Sequence, residues 1–198
     1  MRKGAGKTKP HLVECYLAEE LGLDVPVRLH NAVLSEPDDT GEEYITIPDL
    51  DGLHIAAAIG RLRIPLALRG KGIRFLRKVV GKSGAEMADA LGIAPETLSR
   101  YENDKQPIEE AKDRLLRLTV AIELLSGTES SARIPAVQFH FRELRDMDIT
   151  PVAAVNKKKT PGLDFCYIPV VRQQQQPLEM RINVEKDWTS ADCPLAAA

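Results

Sequence analysis

The chain has 198 residues, 43% of them hydrophobic but only 5% aromatic, and a formal net charge of −2. That content supports one core or two to three small ones, built mostly from aliphatic side chains. No run approaches the ~18 apolar residues of a membrane span, and the start "MRKGAGKTKP" has no apolar stretch behind it. Three distant cysteines, Cys15, Cys166 and Cys193, argue against a disulfide framework and a thiolate zinc site. The expected protein is soluble and cytoplasmic, with free thiols.

The first ten residues, rich in Lys and Gly, read as a disordered basic tail. "LVECYLAEEL", Leu12 to Leu21, is open between a short helix and a strand. "VPVRLHNAV" alternates and predicts a strand, "SEPDDTGE" a turn, and "EYITI" a second strand, giving a hairpin with a long acidic loop. Leu53, Ala57 and Leu62 then recur at helical spacing, with Pro65 closing that helix. In "GIRFLRKVVG" Ile73, Leu76 and Val80 share a stripe and Gly81 is the stop. Ser83 and Glu86 form a capping box, and Gly92 lies past the end of the helix they open. Pro95 and Pro107 stand at expected first helical positions, the second opening a helix of about five turns. "GTESSAR" reads as a linker, "AVQFHF", "DFCYIPVV" and "LEMRINVEKDW" as strands, "VRQQQQP" as loop and "CPLAAA" as a frayed end. His140 is expected on an exposed strand position.

Charge is segregated along this order. Residues 1–60 carry five Lys/Arg against eleven Asp/Glu, and residues 61–120 carry thirteen against eight. Arg61–Lys82 holds eight basic residues and no acid, and an anionic partner feels such a patch within about one Debye length.

Beside that block lies "GAEMADALGIAPETLSRYEN", Gly84 to Asn103. A helix-turn-helix starting at Gly84 needs apolar residues at its fourth, eighth, tenth, fifteenth and eighteenth positions. They are Met87, Leu91, Ile93, Leu98 and Tyr101. The fifth must be small and is Ala88; the ninth must accept φ > 0 and is Gly92.

"IRFLRKVVGKSGAEMADALGIAPETLSRYEND" therefore resembles the Cro/repressor (XRE-type) helix-turn-helix family, over about residues 70–125. The resemblance implies a lambda-repressor-like all-α domain whose second unit helix enters the major groove. It places Pro95, Glu96 and Arg100 against bases, and Thr97, Ser99, Asn103 and Lys105 nearer phosphates. Arg100 would fork onto guanine and Glu96 accept from a cytosine amino group; alternatively the two pair on the helix surface. Arg69, Lys71, Arg74, Lys78 and Lys82 would add salt-dependent phosphate attraction, and Arg77 and Glu102 match the family's partly buried salt bridge. Two positions depart from the pattern. Gly84 replaces a Gln that touches the backbone, and Asp104 replaces a Gly, putting an acid near the DNA.

The front half, with "VRLHNAV", a loop and "GEEYITIPDLDGLHIAAAI", is similar to MqsA-type antitoxin/regulators, which carry a small β domain, often a zinc ribbon. A ribbon knuckle needs C-x-x-C before Gly41–Glu42, where this chain has Pro37 and Thr40. No metal and no cofactor are expected. The acidic front half either binds a basic partner such as an RNA-cleaving toxin or is a solvated surface. No P-loop, dinucleotide fingerprint, G-x-S-x-G or H-E-x-x-H occurs, and no enzyme is expected.

The expectation is thus an α+β chain: a basic tail (1–10), an acidic β-hairpin-plus-helix domain (11–66), a helix-turn-helix domain (67–126), and a linker with a β-rich C-terminal segment (127–198). It would act as a DNA-binding regulator, a homodimer on a palindromic double-stranded operator. A repressor role in a toxin–antitoxin or mobile-element operon is expected, the alternative being an antitoxin that neutralises a partner through its N-terminal domain.

Overall fold

Alternation in "VPVRLHNAV" builds the longest strand of a four-stranded sheet. The computed structural model describes residues 11–37, 42–126, 141–154 and 161–166. The strand, β2 (Val27–Pro37), pairs antiparallel along one edge with β1 (His11–Leu17), for example Leu12 with Leu34 and Tyr16 with Leu29. Its other edge carries two short strands end to end: β3 (Glu43–Thr46), antiparallel to residues 34–37, and β4 (Leu163–Cys166), parallel to residues 27–30. Between them Asn31 has φ 49°, and the register steps from Val13–Val33 to Cys15–His30. Two residues of β2 thus oppose Glu14 alone, a bulge that bends the strand between its two halves. The open reading of Leu12–Leu21 resolves as β1 followed by one 3₁₀ turn, Glu19–Leu21.

Helix α1 (Leu50–Arg63) is capped by the Asp49 carboxylate, which accepts from Gly52 N at 3.2 Å. From Leu53 to Leu62 only His54 is not buried, so α1 is apolar nearly all round and needs neighbours on every side. Its run Ala56, Ala57, Ala58 and Gly60 permits that approach. A Cβ on Gly60 would lie 2.7 Å from Leu163 of β4, while α2 (Gly70–Val79) and α5 (Glu110–Ser126) pack against other parts of the helix. Ile64 turns extended before Pro65 and ends α1.

Three successive helices then stop in the same way. In α2, Gly81 N–H donates to Lys78 O and Lys82 N–H to Arg77 O. In α3 (Gly84–Ala90), Gly92 N–H donates to Asp89 O and Ile93 N–H to Ala88 O. In α4 (Pro95–Glu102), Asp104 N–H donates to Tyr101 O and Lys105 N–H to Arg100 O. Each is a Schellman motif with a left-handed residue just past the helix, Gly81 (φ 70°), Gly92 (φ 60°) and Asp104 (φ 54°).

Two expectations are corrected. Helix α5 begins at Glu110, not Pro107; its first intrahelical bond runs from Asp113 N to Glu109 O. Asp113 in its first turn accepts from Leu68 N, which ties that end of the helix to the chain before α2. Phe141, the last residue of the expected strand "AVQFHF", opens the short helix α6 (Phe141–Arg145), which buries Leu144 and packs on α5; the other five residues of that stretch lie outside the described residues. The tail 1–10, the linker, His140, the Gln run, "LEMRINVEKDW" and Cys193 lie outside the described residues.

The connector from α1 to α2 is held by charged side chains. Arg61 and Arg117, both fully buried, donate to carbonyls along it. Arg117 reaches Arg61, Leu62, Ile64 and Leu66 O at 2.8–3.2 Å, and Arg61 reaches Leu66 and Ala67 O at 3.0 and 3.1 Å. Three consecutive amides then donate to three carboxylates from distant parts of the chain: Leu68 N to Asp113 (2.7 Å), Arg69 N to Asp24 (2.9 Å) and Gly70 N to Asp104 (2.8 Å). Asp24 also binds Arg61 through both oxygens at 2.7 and 2.9 Å, and Asp113 binds Arg117. Among the described residues no buried side-chain nitrogen or oxygen lacks a partner, the condition under which buried ions are tolerated. Sheet, helix-turn-helix and α5 thereby share one continuous core.

Candidate nucleic-acid interface

The helix-turn-helix is made by α3 and α4. Ser83 Oγ accepts from Glu86 N and the Glu86 carboxylate accepts from Ser83 N at 2.7 Å, so both ends of the capping box are closed. Those hydrogen bonds hold the exposed Glu86 carboxyl below its usual pKa. Met87, Ala88, Leu91, Leu98 and Tyr101 are each at most 2% exposed, and Ile93 is half-buried. Lys112 of α5 donates to Leu91 O at 2.7 Å and fastens the turn to the core.

What packing leaves outward is the N-terminal turn and one face of α4. Pro95, Glu96, Ser99 and Arg100 are exposed and Thr97 is partly so. Pro95 occupies the first turn, where its missing N–H costs nothing. Ala94 caps the helix without a side-chain bond, and Thr97 N–H donates to Ala94 O at 2.9 Å. Glu96 and Arg100, four residues apart, form no ion pair with each other among the described residues. Lys105 and Lys78 are exposed, and neither makes an ion pair there.

The basic block proves smaller as a surface than as a sequence. Arg61 is consumed by Asp24, and Lys82 turns to Glu123 of α5 at 2.8 Å with its side chain only 23% exposed. Arg77 spans from α2 to α4, with Nε 2.6 Å from Glu102 Oε1 and Nη2 3.1 Å from Oε2. Hydrogen bonding to Glu102 raises its guanidinium further above the ordinary value. Arg74 Nη2 donates to Glu102 O (3.1 Å) and Asn103 Oδ1 (2.9 Å), while Asn103 Nδ2 donates to Ser99 O (2.7 Å). Arg69, Lys71, Lys78 and Lys105 remain as exposed positive charge around these groups.

Sequence reasoning missed the role of Asp104. Its carboxylate caps α2 through Gly70 N instead of pointing at solvent, and a Cβ on Gly70 would lie 2.5 Å from Glu102 O. The N-terminus of α2 therefore sits directly on the C-terminus of α4, with helix dipoles in favourable contact. It also missed Asp24, Asp113 and Arg117. Only the i,i+4 spacing of Asp113 and Arg117 was visible, and that spacing ordinarily marks a surface pair.

Residues 73–111 match the family model for a helix-turn-helix. This segment is a helix-turn-helix. The match covers most of α2, all of α3 and α4 and the first residues of α5, and supports the XRE type. No curated protein and no solved structure matches the chain significantly. Among the described residues no helix is long and apolar enough to cross a membrane. The match supports a DNA-binding role for this unit.

Proposed function

We propose that the chain is a sequence-specific transcriptional repressor, acting on its own or a neighbouring operon in a toxin–antitoxin or mobile-element setting. The observation that carries this reading is α4: seven shape-determining positions are satisfied inside the unit, and Pro95, Glu96 and Arg100 are left outward and uncommitted. Arg100 then reads guanine O6/N7 and Glu96 a cytosine amino group, each contact worth ~1–3 kcal/mol of discrimination. Thr97, Ser99, Asn103, Lys105, Lys78 and Arg74 meet phosphates, with Lys82 contributing as far as its bond to Glu123 allows. Arg77 and Glu102 orient the C-terminal end of α4. Such a unit covers one half-site, so a cytoplasmic homodimer on a palindrome is the working assembly.

A second reading is an antitoxin that occludes a basic partner. It draws on the sheet, where Leu12 and Leu34 are cross-strand partners 51% and 38% exposed, near Tyr44 and the acidic Glu43. Mobility-shift titration with the chain's own upstream DNA tests the first reading. Binding there no tighter than to random DNA, with Arg100→Ala without effect, would remove it. Co-purification with the neighbouring gene product tests the second, and capture that survives deletion of residues 11–62 would remove that one.

A further inference from the structure

A cleft of about 460 Å³ lies where the connector before α2, the α4–α5 turn and the segment Ile149–Ala153 meet. The last of these is fixed to the connector by Thr150 N donating to Pro65 O at 2.8 Å and Ala67 N donating to Thr150 O at 3.0 Å. The size falls within the ~300–1,000 Å³ of small-molecule sites. Its walls are mostly aliphatic, from Leu68, Ile108, Ile149 and Val152 among others.

The polar groups at the cleft divide into committed and open ones. Asp113 spends both oxygens on Arg117 and Leu68 N, and Glu110 is bonded to Arg114. Arg69 engages Asp24 only through its backbone N–H; among the described residues its exposed guanidinium has no partner, and neither has the Gln106 amide. Asp104, which lines the cleft, uses Oδ1 on Gly70 N, and its Oδ2 has no bond among the described residues. With Asp113 and Glu110 each matched by an arginine, the net charge offered to a ligand is one positive group and one negative group beside an apolar wall. An isolated carboxylate would meet Asp104, and an isolated amine would meet Arg69.

We propose that this cleft is an effector site for a small zwitterion with an apolar body, of amino-acid or dipeptide size. Its carboxylate forks onto Arg69, its ammonium pairs with Asp104, and its apolar part packs on Ile108, Ile149 and Val152. Asp104 is also the left-handed residue that ends α4 and the cap of α2. An ammonium on the open oxygen draws the carboxylate's charge away from the Gly70 amide and weakens that cap, loosening the junction of α2 with the recognition helix, so binding lowers operator affinity. By linkage, DNA lowers ligand affinity by the same factor. The regulatory part rests on the function proposed above; ligand binding itself does not.

The test uses the full chain labelled with ¹⁵N and titrated with L-leucine, L-phenylalanine and L-leucyl-L-leucine, against hexanoate and hexylamine as single-charge probes. At least one zwitterion is expected to shift Ile108, Gln106 and Val152 amide signals saturably, more tightly than either single-charge probe. Arg69→Met is expected to weaken it roughly tenfold, the worth of a charged hydrogen-bonded pair. Ala153→Trp, on the exposed rim, is a second variant that blocks the cleft without removing a charge. No saturable shift with any zwitterion, or shifts unchanged in both variants, overturns the site. With ligand bound, operator affinity should fall about fivefold or more; an unchanged affinity overturns the regulatory part. Failure to bind operator without ligand would instead count against the function proposed above.

Discussion

Replacing Asp24 by Ala tests the charged connector most sharply. The side chain is 3% exposed and binds Arg61 Nε at 2.7 Å, Arg61 Nη2 at 2.9 Å and Arg69 N at 2.9 Å. Its removal leaves the fully buried guanidinium of Arg61 with carbonyl partners alone, and stripping one member from a buried pair costs about 3–5 kcal/mol. Against a typical total of about 5–15 kcal/mol, and about 2–4 °C of melting temperature per kcal/mol at this size, Asp24→Ala should melt roughly 6–20 °C below the parent. Arg61→Met alone should also be costly. The double variant should lose distinctly less than the sum, because an apolar pair of similar volume is tolerated far better than a lone buried charge. Urea titrations followed by circular dichroism give all four corners of the cycle. A loss below about 1 kcal/mol for Asp24→Ala, or strict additivity in the double variant, would refute the reasoning. A pH series adds an independent readout. Burial alone would raise the Asp24 carboxyl, but Arg61 and the Arg69 amide outweigh it and hold the pKa below the ordinary value. The folded value is the depressed one, so its stabilisation is complete above the usual carboxylate range and drains away as acid protonates the folded group. The parent should therefore lose stability below about pH 4 more steeply than Asp24→Asn.

Gly72→Ala raises helix propensity by about 1 kcal/mol, yet should destabilise, because its Cβ would sit 2.3 Å from the clamped Asp24 Oδ1; denaturant midpoints decide, and a gain would show Asp24 free to move. Asp104→Gly sheds about 1 kcal/mol of left-handed strain and loses a cap of about 1 kcal/mol, so it should be near neutral, while Asp104→Ala keeps the strain and should cost about 1–2 kcal/mol. Equal losses in both would contradict that division. For DNA, Lys78→Gln should reduce the slope of log affinity against log salt by about 0.9, whereas Lys82→Gln, already paired with Glu123, should change it little; filter binding at several salt concentrations distinguishes them.

The helix-turn-helix was legible because its signals are local. Ser83 with Glu86, Gly92, Pro95 and the spacing from Met87 to Tyr101 sit within about twenty residues of one another, and each has one cheap conformational solution. The hairpin of β2 and β3 was legible for the same reason. The long-range pairings were not. Asp24 meets Arg61 and the Arg69 amide across about forty residues, and β4 returns from residue 163 to lie parallel to β2; no periodicity reports a partner so far away. A charge count misled at Arg61 and Lys82, since a buried or paired cation has the same letter as a solvated one. Asp104 reads as a defect in the family pattern until Gly70 is found beneath it. At Phe141 the expected strand gives way to helix, where Leu144 packs on α5.

The central claim, that α4 reads sequence through its outward face, is tested most directly by selection from a random double-stranded DNA pool with the full chain and its Arg100→Ala variant. The claim predicts that the parent enriches a motif containing guanine at a fixed position, and that the variant loses preference at that position while retaining the rest. A pool that stays unenriched with the folded parent, or an identical motif from both proteins, would contradict it.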